Sequence, residues 1–435
     1  MARFHRRLSL TLLLALGAAV PGIGRAEDQE NLPPYKMLRS LQFVQDAVVQ
    51  GDHSGGEMQT FLLSALDERL RSADKSIFDD GRNVDAALIY AMSGGNPTTL
   101  EFLMSRDTNG NFDSRVADVL RKYLNGKGLL VVKSLADTAM EYRDKKIGPY
   151  LALVAGNVMS AKDPKSALKL YDWARLTAPG TIVEEAALRR SVSLAEKAGL
   201  TQEGLGYSQR YVRRFLHSPY AGQFADIFVT FVVDHNKDMK PEDVTGILDF
   251  MDPPRQRAVY LRIARSAAIA GKLDLAELAA GRAKAIPGDD GDAFQSLAAL
   301  YGGLANIPTA EVDNARQNIS TIPEGELNAK DRALRQAAKA VADAVLQPPD
   351  PASLTQALSP SVANEANPEH GAAPANDPSG APAAAAGGVQ KEAAATPANS
   401  GGAAGQDADA SFNSFVAASR SKLDAIDGIL DQEGK

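Results

Sequence analysis

Cysteine is absent from the chain. Without a sulfur nucleophile or ligand there is no disulfide framework, no thiolate catalysis, no thiolate-held zinc or iron–sulfur cluster, and no lipoprotein attachment. Positive charge is in deficit, 47 Lys and Arg against 54 Asp and Glu, a formal −7 with a pI of about 5.4. Nonspecific nucleic-acid binding, which needs a lysine and arginine surplus to neutralise phosphates, is therefore excluded as a working class. Histidines are few and scattered, at positions 5, 53, 217, 235 and 370. They form no His-Glu-x-x-His zinc helix, and neither a phosphate-cradling Gly-x4-Gly-Lys-Ser/Thr loop nor a Gly-x-Ser-x-Gly nucleophile elbow occurs. No run of 18 uninterrupted apolar residues exists to span a bilayer, so the mature chain is expected not to insert.

What is present begins with an export signal. Arg3, His5, Arg6 and Arg7 precede an apolar run at residues 8–20, interrupted only by Ser9 and Thr11, and then Pro21, Gly22, Ile23, Gly24, Arg25 and Ala26. Thirteen residues are too few for a spanning helix, which takes about 20. Gly24 and Ala26 supply the small side chains that a signal peptidase accepts. Cleavage after Ala26 is expected, leaving a mature protein with 43 basic and 54 acidic residues, located in the periplasm.

From residue 38 to about 346 the pattern is helical, rich in Ala, Leu, Arg, Glu and Lys with apolar residues at spacings of three and four. Leu38, Leu41, Val44, Ala47 and Val48 form one apolar face, ending near Gly51. Met58, Phe61, Leu62, Ala65, Leu66 and Leu70 form another. Residues 224–233 (FADIFVTFVV) carry the strongest strand composition, but their helical neighbours favour a buried helix. The expected fold class is all-α, either a tetratricopeptide-like helical solenoid or an irregular helical bundle.

A 34-residue register supports the solenoid. Leu151, Val154, Ala155 and Val158, followed by Ala167, Tyr171, Ala174 and Pro179, match the tetratricopeptide spacing. Tyr260, Ile263, Ala264 and Ala267, followed by Ala276, Ala280, Ala283 and Pro287, repeat it with the proline one residue early. Pro219, Pro253 and Pro287 are also spaced by 34. Small residues suit the close crossing of antiparallel helices, and proline stops the second helix.

Composition changes at residue 348. The 63 residues 348–410 hold 9 Pro, 20 Ala and 7 Gly and no aromatic residue. So little burial cannot offset chain entropy, and a disordered linker is expected. In residues 411–432, Phe412, Phe415, Val416, Leu423, Ile426, Ile429 and Leu430 share one helical face, with Ser411 as a possible cap. The expected organisation is a leader at 1–26, an N-terminal helical region at 27–140, a repeat-like region at 141–347, the linker at 348–410 and an amphipathic helix at 411–435. Phe412, Phe415, Leu423 and Ile426 are the candidate partner-binding residues, either against the chain's own solenoid or in another protein's groove.

The remaining polar clusters read as structural. Asp107, Asn109, Asn111 and Asp113 alternate like the opening of a calcium loop, but Phe112 stands where the loop glycine belongs and Asp118 where the bidentate glutamate belongs. A polar turn between helices explains them better. Asp52–His53 and Asp234–His235 have no nucleophile motif nearby and read as turn or cap residues. Arg210, Arg213 and Arg214 read as a solvated helix face over a buried stripe of Tyr207, Tyr211 and Phe215. No catalytic residue, metal or cofactor is expected.

The exported start MARFHRRLSL…GRAED, the block QENLPPYKMLRSLQFVQDAVVQGDHS, the helical middle and the Pro/Ala-rich tail with its terminal helix together resemble the motility protein C (MotC) family of rhizobial flagellar motors, end to end and in size. The resemblance implies a periplasmic protein required for flagellar rotation, acting on the stator through the periplasmic part of its MotB protein. It transfers no site residue, because the family carries no catalytic motif. Two other classes stand beside it: a periplasmic adaptor in envelope or cell-wall assembly, and a glycan-active enzyme, which needs two carboxylates about 5–10 Å apart in a cleft.

Overall fold

A computed structural model describes residues 32–287 and 292–348. The leader at 1–26, nearly all of 348–410, and the terminal segment with Phe412, Phe415, Leu423 and Ile426 lie outside the described residues. Within them the chain forms seventeen α-helices, a few short 3-10 turns and no strand. The all-α expectation holds, and the arrangement is a helical solenoid.

The first six helices are α1 (Pro34–Val49), α2 (Gly55–Ser72), α3 (Gly81–Met92), α4 (Pro97–Arg106), α5 (Ser114–Leu124) and α6 (Val132–Glu141). Their core is drawn from Leu41, Leu66, Leu70, Leu100, Leu120 and Leu135, all essentially inaccessible to water. Short polar residues start them: Asp80, Asn96 and Asp113 each accept a backbone N–H of the first turn, satisfying donors that the helix leaves open. The apolar face expected for α2 needs correction. Leu66 and Leu70 are buried, but Met58 and Phe61 are exposed, at 50% and 64%. The helix packs on α1, α3 and α4, and these contacts leave those two side chains at least half exposed.

The second region runs in pairs. These are α7 (Gly148–Met159) with α8 (Pro164–Thr177), α9 (Ile182–Ala198) with α10 (Thr201–Arg214), α13 (Pro253–Ile269) with α14 (Leu273–Ala285), and α15 (Asp292–Asn306) with α16 (Val312–Thr321). Between them α11 (Ala221–Asp234) is followed by α12 (Pro241–Leu248), which packs on α10 and not on α11, and α17 (Ala329–Leu346) packs on α16 with no described helix after it. Helix α7 also packs on α9, α9 on α11, α11 on α13 and α13 on α15, so these five stack in sequence. That neighbour-on-neighbour order is what makes a solenoid.

The repeat positions do the packing. Leu151, Val154, Ala155, Val158, Ala167, Tyr171 and Ala174 are all buried, as are Tyr260, Ile263, Ala264, Ala267, Ala276, Ala280 and Ala283. Gly156 marks how close α7 and α8 come: a Cβ there would stand 2.5 Å from the Tyr171 ring. Two further copies are visible only with the fold in hand. Adding 34 to the first copy lands on Glu185, Leu188, Arg189, Thr201, Leu205 and Ser208 of the α9–α10 pair, where an ion pair replaces the large and small residues. Phe294, Leu297, Ala298 and Tyr301 of α15 restate the first-helix signature 34 residues after Tyr260. The α11–α12 stretch breaks the register, and α12 packs on α10. Accordingly, Pro219, Pro253 and Pro287 are not equivalent: Pro253 begins α13, Pro219 lies in the loop before α11, and Pro287 follows α14. A first-turn proline loses no hydrogen bond, which is why Pro253 fits a helix start as well as Pro179 fits a helix end.

Residues 224–233 lie within helix α11, as the neighbouring pattern favours. Phe224, Phe228, Phe231, Val232 and Val233 are buried, with Phe224 stacked on Tyr211 of α10 at 4.1 Å between ring centroids. A helix apolar nearly all round is a core helix, and burial between α9 and α13 overrides the strand propensity of its residues.

The two regions meet at α7, which contributes Leu151, Val154 and Val158 to the first core and Ala152 to the second. Helix α1 ties them polar atom to polar atom. Gln42 Nε2 donates to the Tyr150 hydroxyl at 2.8 Å, Gln50 Nε2 donates to the Gly180 carbonyl at 2.9 Å, and Asp46 Oδ1 accepts from Ile182 N at the start of α9 at 3.0 Å. Burial pushes the Asp46 carboxyl above the ordinary aspartate range, opposed by that backbone bond.

Candidate functional site

A hollow lies between the C-terminal halves of α7 and α9. Its volume is about 670 Å³, and its lining includes Asn157 and Ser160 of α7, Tyr171 of α8, and Arg190, Ser193 and Lys197 of α9. Leu194, buried on α9, gives it an apolar edge. The α9 contributors follow helical spacing at 190, 193, 194 and 197, so one stripe of that helix faces the groove.

Asn157 organises the groove. Its Oδ1 accepts from Arg190 Nη1 at 2.6 Å and from the Tyr171 hydroxyl at 3.0 Å, while its Nδ2 donates to the Tyr123 hydroxyl of α5 at 3.2 Å. A guanidinium can only donate, so the amide orientation is set by Arg190. Burial pushes the Tyr171 phenol up to about 12, and it stays a neutral donor at physiological pH. The Ser160 hydroxyl donates to the Asn157 carbonyl at 2.7 Å.

The chemistry on offer is recognition. Two cations, two serine hydroxyls and a tyrosine line the groove, and its lining contains neither carboxylate nor histidine. No base stands beside a nucleophile there, as general acid–base chemistry would require. An acceptor-rich, anionic segment is what such a surface complements.

Other sequence candidates resolve as architecture. Both Asp107 oxygens accept backbone N–H groups, from Asn111 at 2.9 Å and Phe112 at 3.0 Å, while Asn109 and Asn111 turn their amide nitrogens to Asp79. The hollow beside them, about 20 Å³, has room for about one water. Asp52 closes a turn onto Ser54 at 2.5 Å, and His235 ends α11 with Nε2 2.7 Å from the Glu196 carbonyl. Arg210 bonds back to its own helix at Gly206, Arg213 lies 4.9 Å over the Phe250 ring, and Arg214 pairs with buried Glu184 at 2.7 Å. Tyr207, Tyr211 and Phe215 form the buried stripe beneath them. Among the described residues no group of three or more His, Asp or Glu could hold a metal ion, and no helix is long and apolar enough to cross a membrane.

The groove residues Asn157, Arg190 and Lys197 were not singled out from the sequence. The signal that would have found them is the 34-residue register, which sets α9 beside α7 and so makes the polar stripe of one face the polar end of the other.

Comparison with known proteins covers the whole chain. The family model described as "Chemotaxis protein MotC" matches residues 1–435. The "Chemotaxis protein MotC" of Rhizobium meliloti (strain 1021) is 53% identical over 433 residues, 98% of this chain and 99% of the relative. No solved structure matches. With full-length coverage by the family model and more than half of its residues shared with a family member, the chain belongs to the MotC family of chemotaxis and motility proteins.

Proposed function

We propose that this chain is a non-catalytic periplasmic protein required for flagellar rotation, which acts by binding the periplasmic part of the stator protein MotB. Family membership supports the motility role. The observation that carries the binding mode is the α7–α9 groove, whose charged lining is wholly cationic, Arg190 and Lys197. An extended, acidic segment of the partner lies in it, its carboxylates against Arg190 and Lys197 and its backbone carbonyls against Ser160 and Ser193. Export rests on the leader sequence, with cleavage after about Ala26.

The test is a chromosomal deletion in the source bacterium, complemented by the full chain or by Arg190→Glu with Lys197→Glu. Deletion is expected to leave normal filaments on cells that do not rotate. The double variant is expected to fold, to lose at least about tenfold in affinity for the periplasmic part of MotB, a change of roughly 1.4 kcal/mol, and to fail in complementation. Cells that rotate normally but carry envelope or shape defects would overturn the motor reading in favour of an envelope adaptor.

A further inference from the structure

Helix α17 ends the described solenoid, and its apolar surface is wider than its neighbour covers. Asp331, Ala338 and Ala342 are buried. Their side of the helix is held by Arg335 Nε donating to the Ile319 carbonyl at 2.9 Å, by Arg316 pairing with Asp343 at 3.2 Å, and by Asp331, which accepts from the Tyr301 hydroxyl at 3.0 Å and pairs with Arg265. Arg332, Gln336 and Lys339 make an exposed polar arc on one flank. The other flank carries exposed Lys330 in the first turn and from there on is exposed but apolar: Ala333, Ala337, Ala340, Val341, Ala344 and Val345, with Val341 and Val345 54% and 53% accessible. At 100° per residue these six span an arc of about 140°, a little over a third of the helix circumference.

The stripe has the spacing of a covered one. Ala333, Ala337 and Ala340 stand at i, i+4 and i+7, as do Ala276, Ala280 and Ala283 of α14, which are buried in a crossing with α13. The end helix of a solenoid normally shows water a polar outer face. This one shows alanine and valine, the face of an inner helix covered on both sides, whereas α17 has α16 as its chief neighbour on one side and no described helix follows it to cover the other.

We propose that residues 411–432 of the same chain dock on this flank as the missing partner helix, closing the end of the solenoid in cis. Three observations choose that occupant. The chain leaves the described structure from the C-terminal end of α17 itself. Phe412, Phe415, Leu423, Ile426 and Leu430 recur at helical spacing and carry the large side chains that an alanine-lined flank accommodates. The 63 intervening residues, taken as a coil, span about 45 Å, against about 27 Å for α17, and hold the segment at millimolar effective concentration.

Because the chain has no cysteine, a single thiol reports on one position. Val341→Cys, and Gln336→Cys on the polar arc, are made in the full chain, each with and without Ile426→Asp plus Leu430→Asp, and their maleimide reaction rates are followed by mass spectrometry. Val341→Cys is expected to react at least about tenfold faster once the terminal segment carries the two aspartates, whereas Gln336→Cys reacts equally in both. Equal rates at Val341→Cys overturn the proposal. Protection that survives the aspartates, or that grows with protein concentration, also overturns it and assigns the flank to another occupant or a second copy. Should the thiol variant unfold, hydrogen exchange across residues 329–346, compared between the unsubstituted chain and the double-aspartate chain, reads the same difference.

Discussion

The six helices before α7 and the paired helices after it are held by different devices. In the α7–α8 and α13–α14 pairs of the repeat region the same spacings recur, and a small residue in the crossing, such as Gly156 against Tyr171, sets how close two helices come. In the N-terminal region no spacing recurs, and single polar side chains bridge the loops. Asp67 accepts from the Tyr90 and Thr99 hydroxyls, Tyr90 in turn accepts from Asn96 N, and Asp113 joins α5 to α6 through Tyr142 and, by way of Arg115, Glu141. Repetition makes adjacency a property of the pattern. Without it, adjacency rests on individual contacts, and each must be specified separately.

The α9–α10 pair tests that contrast most severely, since it occupies a repeat slot but carries a buried ion pair on α9 where the repeat has its large and small residues. Glu185, fully buried, binds Arg189 through both oxygens at 2.8 and 3.1 Å and accepts from the Tyr211 hydroxyl at 2.9 Å; Arg189 reaches Gln223 of α11 at 3.0 Å. Arg189→Ala leaves a carboxylate buried without its cation, and is expected to cost about 3–5 kcal/mol in urea unfolding. A loss below about 1 kcal/mol would place this pair with the ordinary repeats, its charges incidental.

Overpacking sharpens the repeat side. Gly156→Ala puts a methyl group into the Tyr171 ring, and is expected to destabilise by about 1–3 kcal/mol although alanine is the better helix former. Gly222→Ala, in α11, where a Cβ meets nothing, serves as the control and is expected to be neutral or stabilising. The same result for both glycines would remove the argument that helix approach is set by the missing side chain.

The N-terminal region is probed by Asp113→Ala, expected to cost about 1 kcal/mol from the lost cap and to do so in a pH-dependent way. The Tyr142 hydroxyl, at 2.7 Å, is the main group holding the Asp113 carboxyl below its ordinary range, helped by the Arg115 backbone N–H at 2.8 Å. A carboxyl with a lowered folded-state pKa contributes stability above its unfolded value, near pH 4, and loses it as pH falls through the folded value. The difference between the unsubstituted chain and the variant should therefore be constant from about pH 5 upward and shrink below pH 4. A difference that grows toward acid pH would reverse the sign of this assignment.

The sequence by itself determined the fold class and the two clear repeats. Apolar residues at spacings of three and four, Ala167 and Ala174 around Tyr171, and the alanines of α14 demand helices that cross closely, and local spacing carries that demand. It also placed the buried stripe of Tyr207, Tyr211 and Phe215. Tertiary structure decided what depends on a distant neighbour. Met58 and Phe61 match the apolar face of α2 in period but stay at least half exposed, because period says which residues share a side and not whether something covers it. Glu185 and Arg189 look like surface charges until α10 and α11 close over them. Asn157, Arg190 and Lys197 become one groove only when α9 stacks on α7. Burial and pairing are properties of the space between helices, and a local pattern does not contain that space.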